Sequence, residues 1–376
     1  MTAPNIKREL STPLFNLNEF VIHHYIHLGR FGHYHFCENR KEGKNCFIKI
    51  LKKSVIIDKK ILEKIFHEIE IYEKLKNSKF FIPLRGISTN DPKYLGLLFD
   101  FIPGGKLRSF LNQQKKLQLE HVKFYLGNII LILETLHKNR IIYRDLKPDN
   151  LLIKENGYLT LIDLSYSKEL AKDTDLTYSL CGTPNYLAPE IILNKGYNYS
   201  VDYWSLGVIL FEMLVGIDPF HNKDPLLIYQ NILNNKIHFP KIIDRDAKTL
   251  INHLLVSDPN KRYGCLKNGA NDIKNHRLYN DFRWRKLYDN SLEPPFIPLF
   301  ENNENVLKYY DMEKSNIKLK ERHEKMKEEL ERQKKEFQEN KTAKAKKVNL
   351  IEGVEIIDSD TEAREILESE DPFIDW

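Results

Sequence analysis

Pro103-Gly104-Gly105 divides this sequence into two parts that cannot share one kind of element. Proline has no N–H to donate and glycine costs the most backbone entropy, so together they end whatever precedes them. Ahead of the break, residues 20–26, 46–51 and 94–102 are apolar runs of strand length, with a turn around Gly29 and Gly32 after the first. Residues 59–76 place Ile61, Ile65, Tyr72 and Leu75 at helical spacing. Beyond the break, helical patterns dominate 106–280, interrupted by a loop-like stretch at 139–200. Residues 201–215 are apolar but carry Asp202 and Glu212, which predicts a buried helix rather than a membrane span. The expected fold is therefore α+β and bilobal. A 1–19 extension precedes a β-rich lobe with one main helix (20–98), a hinge (99–105) and a larger helical lobe (106–282).

With 376 residues, 41% of them hydrophobic, the chain can bury a large core. Lys+Arg 58 against Asp+Glu 53 leaves +5, too weak a charge for a nucleic-acid binder. Cys37, Cys46, Cys181 and Cys265 form no CxxC pair, which argues against zinc or a disulfide framework and for a reducing compartment. The first ten residues have no apolar core of a secretory signal, Thr2 excludes N-myristoylation, and no run of 18 apolar residues occurs. A soluble protein of the cytoplasm, or of cytoplasm and nucleus, is expected.

Composition shifts after residue 282. Pro294, Pro295 and Pro298 open a tail over 283–376, in which 313–347 is a dense Lys/Glu run. There Leu319, His323, Met326, Leu330, Gln333 and Phe337 follow steps of four and three, a heptad seam with two polar positions. A solvated single helix fits that seam better than a partner coil. The last segment, 351–376, is acidic and ends Phe373-Ile374-Asp375-Trp376.

The chemistry concentrates in Tyr143-Arg144-Asp145-Leu146-Lys147-Pro148-Asp149-Asn150. Phosphoryl transfer needs a carboxylate to orient the attacking hydroxyl, a cation near the moving phosphate and an oxygen ligand for Mg²⁺. Asp145, Lys147 and Asn150 are those residue types. Asp163 follows a strand-like 158–162 and is a second candidate ligand for metal ions that bridge phosphates. With Ala188-Pro189-Glu190 downstream, this is the signature set of protein kinases.

From residue 20 to about 310 the chain resembles the AGC protein kinases, and among them most the cAMP-dependent catalytic subunits. The resemblance rests on residues 143–152, on Cys181-Gly182-Thr183-Pro184-Asn185-Tyr186-Leu187-Ala188-Pro189-Glu190, on 267–276 and on Pro295-Phe296-Ile297-Pro298. It implies the bilobal protein-kinase fold, an AGC-type tail, ATP with Mg²⁺, and Ser/Thr of proteins or peptides as substrates. By this likeness Lys49 holds the nucleotide phosphates, and Glu68, on the stripe of Ile65 and Tyr72, is its partner. Asn150 and Asp163 are the metal ligands, and Glu190 with Arg262 is a structural ion pair. Ser179 matches an activation-loop phosphosite, with Arg144, Lys168 and Lys64 as its cations. Phe373 and Trp376 match a hydrophobic motif that docks beside the Glu68 helix. No cyclic-nucleotide-binding segment fits in the remaining residues, so such control calls for a separate regulatory subunit.

The sequence departs from the family pattern at several positions. The phosphate loop reads His27-Leu28-Gly29-Arg30-Phe31-Gly32, with histidine for the first glycine and with Gly29 and Gly32 kept. Asp163-Leu164-Ser165 replaces Asp-Phe-Gly. Tyr34 and Phe47 stand where the family has Val and Ala in the adenine roof, two rings expected to crowd one small space at ~1–3 kcal/mol. Of the acids that read substrate arginine, Asp149 and Glu212 remain, while Lys106 and Asn185 replace two others. Leu180, Pro184 and Leu187 suit an apolar residue after the phosphoacceptor. The alternative these departures raise is a pseudokinase, a binding module with impaired ATP binding.

Overall fold

In the computed structural model, which describes residues 12–298 except 242, and Tyr310, five strands form an antiparallel sheet. They are β1 (Phe20–Leu28), β2 (His33–Asn39), β3 (Asn45–Lys52), β4 (Leu84–Ser88) and β5 (Tyr94–Asp100), in the order β1-β2-β3-β5-β4. Opposed residues of an antiparallel pair share a face. Tyr34, Lys49 and Leu97 therefore line up across the sheet, as do Phe36, Phe47 and Phe99. The other face carries Cys37, Cys46, Ile48 and Ile50, which join Leu17 and Phe20 in a separate small core covered by Phe15. With apolar cover on both sides, β3 is buried from Cys46 to Leu51 without alternation.

Two helices follow β3: α1 (Lys53–Asp58) and α2 (Leu62–Leu75). The helix expected over 59–76 starts later, because Lys60 adopts a left-handed φ of 52° that separates the two. Helix α2 buries Ile65, Glu68, Ile69 and Tyr72.

The second lobe holds α3 (Leu107–Gln114), α4 (Leu119–Lys138), α5 (Pro189–Ile192), α6 (Ser200–Val215), α7 (Pro225–Asn234), α8 (Arg245–Leu254), α9 (Asn271–Lys274) and α10 (Trp284–Tyr288). The stretch 139–200 is more than loop. It contains two antiparallel ribbons, β6 (Ile141–Ile142) with β9 (Lys168–Glu169), and β7 (Leu151–Ile153) with β8 (Leu159–Leu161). Helix α6 is buried on nearly every side, as an apolar helix at the centre of a lobe must be. Glycine is required at the lobe junction: a Cβ on Gly104 would lie 2.3 Å from the Ile153 carbonyl oxygen. Arg262 is fully buried and forks onto Glu190 at 2.6 and 2.9 Å. Among the described residues no helix is long and apolar enough to cross a membrane. The charged run 313–347, Phe373 and Trp376 lie outside the described residues.

Candidate active site

The segment 143–150, the candidate catalytic stretch, is held by α6. The backbone N–H groups of Tyr143 and Arg144 donate to the two Asp202 carboxylate oxygens at 3.0 and 2.9 Å, and His137 Nε2 lies 2.9 Å away. A carboxylate buried in an apolar helix needs such partners, and in return it fixes the turn that presents Asp145. Asp145 Oδ1 accepts a hydrogen bond from the Thr183 hydroxyl at 2.7 Å, and Oδ2 accepts from Asn150 Nδ2 at 2.9 Å. Lys147 Nζ lies 3.0 Å from Asp145 Oδ2 and donates to Thr183 Oγ1 at 2.6 Å. Burial pushes the Asp145 carboxyl above its ordinary range, against the pull of Lys147. Asn150 Nδ2 also donates to the Asp145 carbonyl, leaving the buried Asn150 Oδ1 with no hydrogen-bond partner.

On the sheet side, Lys49 Nζ sits 2.8 and 3.0 Å from the Glu68 oxygens and 3.0 Å from Asp163 Oδ1. One ammonium thus serves two buried carboxylates. Burial pushes Glu68 up to about 7 despite Lys49, while against the same burial Lys49 and then His27 hold Asp163 down to about 2. Asp163 itself has a φ of 56°, a left-handed backbone that aims its carboxylate inward. The segment 27–32, the expected phosphate loop, presses on this group. A Cβ on Gly29 would come within 3.1 Å of both Asp163 Oδ2 and Lys49 Cε. His27, in the first loop position, is buried with its Nε2 3.9 Å from Asp163 Oδ2, and burial lowers its pKa to about 3, leaving a neutral ring. Arg30 folds over the Tyr166 ring at 4.3 Å and the Phe31 ring at 4.8 Å.

Tyr34 and Phe47 are both fully buried on the cleft face of the sheet, but in different surroundings. The Tyr34 ring lies 5.5 Å from His27 and 5.7 Å from Phe99. The Phe47 ring lies 5.3 Å from Phe101 and 5.7 Å from Tyr310, whose hydroxyl donates to the Ile102 carbonyl in the hinge. Register separates them: Tyr34 stands opposite Lys49, Phe47 opposite Phe36. The open cleft, about 270 Å³, is bordered by Gly29, Asp145, Lys147, Asp149, Asp163 and Thr183 among others, and by neither ring.

At the other end of the cleft, Asp149 and Glu212 converge on Arg108. Against the burial that raises it, Arg108 and then Lys147 and Lys106 hold the Asp149 carboxyl down to about 2. Lys106 stands at the N-terminal boundary of α3 and borders the cleft, and Asn185 donates to Asp218 at 3.0 Å. Ser179 is exposed, and its carbonyl accepts from the Tyr197 hydroxyl at 2.5 Å. Of its three candidate cations, Arg144 reaches Tyr197 at 3.5 Å and Lys168 reaches Thr177 at 3.0 Å, while Lys64 lies over the Phe31 ring at 5.9 Å. Sequence reasoning missed Arg108, Thr183, Asp202 and Tyr310. A signal existed for Arg108, since a cation in the first turn of a helix opposes the macrodipole and needs an acid nearby.

Comparison with known proteins agrees with this geometry. Residues 20–278 match the protein kinase domain. The chain is 41% identical over 284 residues to "cAMP-dependent protein kinase catalytic subunit 3" of Drosophila melanogaster, covering 76% of this chain and 48% of that protein. It is 36% identical over 297 residues to "cAMP-dependent protein kinase type 3" of Saccharomyces cerevisiae, covering 79% of this chain and 73% of the relative. Similarity to the human "cAMP-dependent protein kinase catalytic subunit PRKX" is 38% over 287 residues, 76% of this chain and 78% of the relative. The chain spans about half the length of the Drosophila and Dictyostelium discoideum relatives. On the sheet, the helical lobe and the match across both, the chain belongs to the protein kinase family, and is AGC-type in its similarity to cAMP-dependent catalytic subunits.

Proposed function

We propose that this chain transfers the γ-phosphate of ATP to Ser or Thr hydroxyls of proteins. The observation that carries the reading is the meeting of Lys49, Glu68 and Asp163 with the Asp145–Asn150 pair across one cleft. The residues fit Mg²⁺ and ATP: the orphaned, buried Asn150 Oδ1 and the Asp163 carboxylate are hard oxygen ligands, and Mg²⁺ characteristically takes its other ligands from phosphates and water. When bound, Mg²⁺ neutralises the charge on the transferring group. Lys49, fixed by Glu68, binds the phosphates, and Gly29 lets backbone approach them. Asp145 orients the acceptor hydroxyl and takes its proton, and Lys147 neutralises the γ-phosphate as it moves.

The relatives are named as catalytic subunits, and all five groups stand together, which favours turnover over the pseudokinase reading. The same likeness supports a separate regulatory subunit as partner, and the scattered cysteines support a cytoplasmic location, with or without the nucleus. The test is Asp145→Asn, with phosphotransfer to a peptide library and MgATP-induced thermal shift measured together. Turnover should fall ~10²–10⁴-fold with the thermal shift retained. A variant that keeps more than about a tenth of wild-type turnover removes Asp145 from this role.

A further inference from the structure

Arg108, in the first turn of α3, adjoins the cleft through Asp149, which borders it. Its Nε donates to Asp149 Oδ2 at 3.1 Å, its Nη1 to Glu212 Oε1, and its Nη2 to Glu212 Oε2 at 3.3 Å and to the Tyr186 hydroxyl at 2.5 Å. The Tyr186 hydroxyl donates in turn to Glu212 Oε2 at 2.6 Å. Two carboxylates and a phenol oxygen converging on one planar guanidinium make a complete arginine-binding site. Here the chain supplies the arginine. Asp149 borders the same cleft as Asp145, so a polypeptide whose hydroxyl reaches Asp145 passes this site.

We propose that Arg108 is a built-in occupant of an acidic subsite, so that the substrate segment crossing α3 is selected for uncharged or acidic side chains and against basic ones. The inference rests on the kinase reading and extends it to substrate class. A substrate guanidinium finds the fork of Asp149 and Glu212 taken by Arg108, and the one negative charge left over among these three groups faces Lys106 at the start of α3. Displacing Arg108 is costly because Glu212 is 5% exposed, and a buried carboxylate cannot be left unpaired. Specificity is then set by repulsion as much as by attraction. The competing account is that Arg108 only ties α3 to α6. That account predicts lost stability on truncation and no change in preference.

The experiment compares wild type with Arg108→Ala on matched peptides carrying Arg or Ala at each position flanking a single Ser, read as kcat/KM. Wild type should favour Ala. The variant should shift toward Arg by at least about tenfold at one or two positions, the scale of one recovered charge pair. Adding Glu212→Gln to the variant should erase most of the gain, and millimolar guanidinium should suppress it by occupying the vacated site. Arg108→Gln serves the same comparison if the alanine variant does not fold. A wild-type preference for Arg, or a folded variant with unchanged preference, overturns the proposal. Fluorescence anisotropy with the same peptides keeps the two readings apart. If no peptide is phosphorylated the kinase reading fails, while the Arg-against-Ala binding ratio still decides the role of Arg108.

Discussion

Phe47→Ala separates two effects of one side chain. The ring is fully buried, edge-on to Phe101 at 5.3 Å and to Tyr310 at 5.7 Å. Truncating a buried Phe costs ~3–5 kcal/mol, within which each aromatic pair accounts for ~0.5–1.5 kcal/mol. At ~2–4 °C per kcal/mol for a large domain, the nucleotide-free Tm should fall by roughly 10 °C. The vacated space adjoins Phe101 and the Tyr310 ring, whose hydroxyl meets the Ile102 carbonyl in the segment where the family resemblance puts the purine. MgATP should therefore bind the variant severalfold more tightly and raise its Tm more than that of wild type. The gain should appear in affinity and not in maximal rate, because adenine contacts hold substrate and transition state alike. A thermal-shift titration of both proteins with MgATP reads both effects. If Tm falls but affinity is unchanged, the ring occupies no purine space and the loss is packing alone. If affinity weakens, the ring stacks on the purine. Either result refutes the steric reasoning.

Three further outcomes are expected. Arg262→Met should cost ~3–5 kcal/mol by stranding the buried Glu190, and adding Glu190→Leu should recover part of the loss, as equilibrium denaturation would show; simple additivity refutes the pairing. Burial raises Glu68 from 4.5 to about 7, so the folded state binds the extra proton and stability falls as pH rises between those values. The Tm of wild type relative to Glu68→Gln should decline across that window, and parallel curves would retire the idea. Gly104→Ala sets a Cβ 2.3 Å from the Ile153 carbonyl and 2.6 Å from Pro298 Cγ, and should cost ~1–3 kcal/mol of stability by calorimetry; an unchanged Tm means the lobe junction yields freely.

What the sequence reveals depends on how local the cause is. The division at Pro103-Gly104-Gly105 is a backbone property, and the structure keeps the five-stranded sheet on one side and the two longest helices on the other. Glu68 is legible as a partner of Lys49 because an acid on an apolar stripe has few other ways to be buried. The later start of α2 is not legible, since Lys60 has an ordinary helix former's side chain and its left-handed φ comes from how α1 ends. The ribbons within 139–200 have strands of two or three residues, too short to display a period. Thr183 and Asp202 escape for a different reason. Their partners lie 38, 58 and 59 positions away, so their roles exist only after the chain has folded.

If Asp145 orients the acceptor, as proposed, the hydrogen bonds around it define what an entering hydroxyl must displace. Thr183 presents to Asp145 Oδ1 the group a Ser or Thr substrate presents, an aliphatic hydroxyl, at 2.7 Å. Asp145 Oδ2 is held by Asn150, so Oδ1 is the oxygen an incoming hydroxyl competes for. Lys147 donates to Thr183 and lies against Asp145 Oδ2, so Thr183 joins the carboxylate proposed to orient the hydroxyl to the cation proposed to meet the phosphate. An entering hydroxyl that displaces Thr183 would exchange one hydrogen bond for another of the same kind, at little net cost. The selective step then falls to the flanking residues, whose path runs past Asp149. There the carboxylates are already engaged by Arg108. On the proposed reading, orientation of the hydroxyl and choice of substrate fall to neighbouring segments, the first to Asp145 and Thr183, the second to Arg108 of α3.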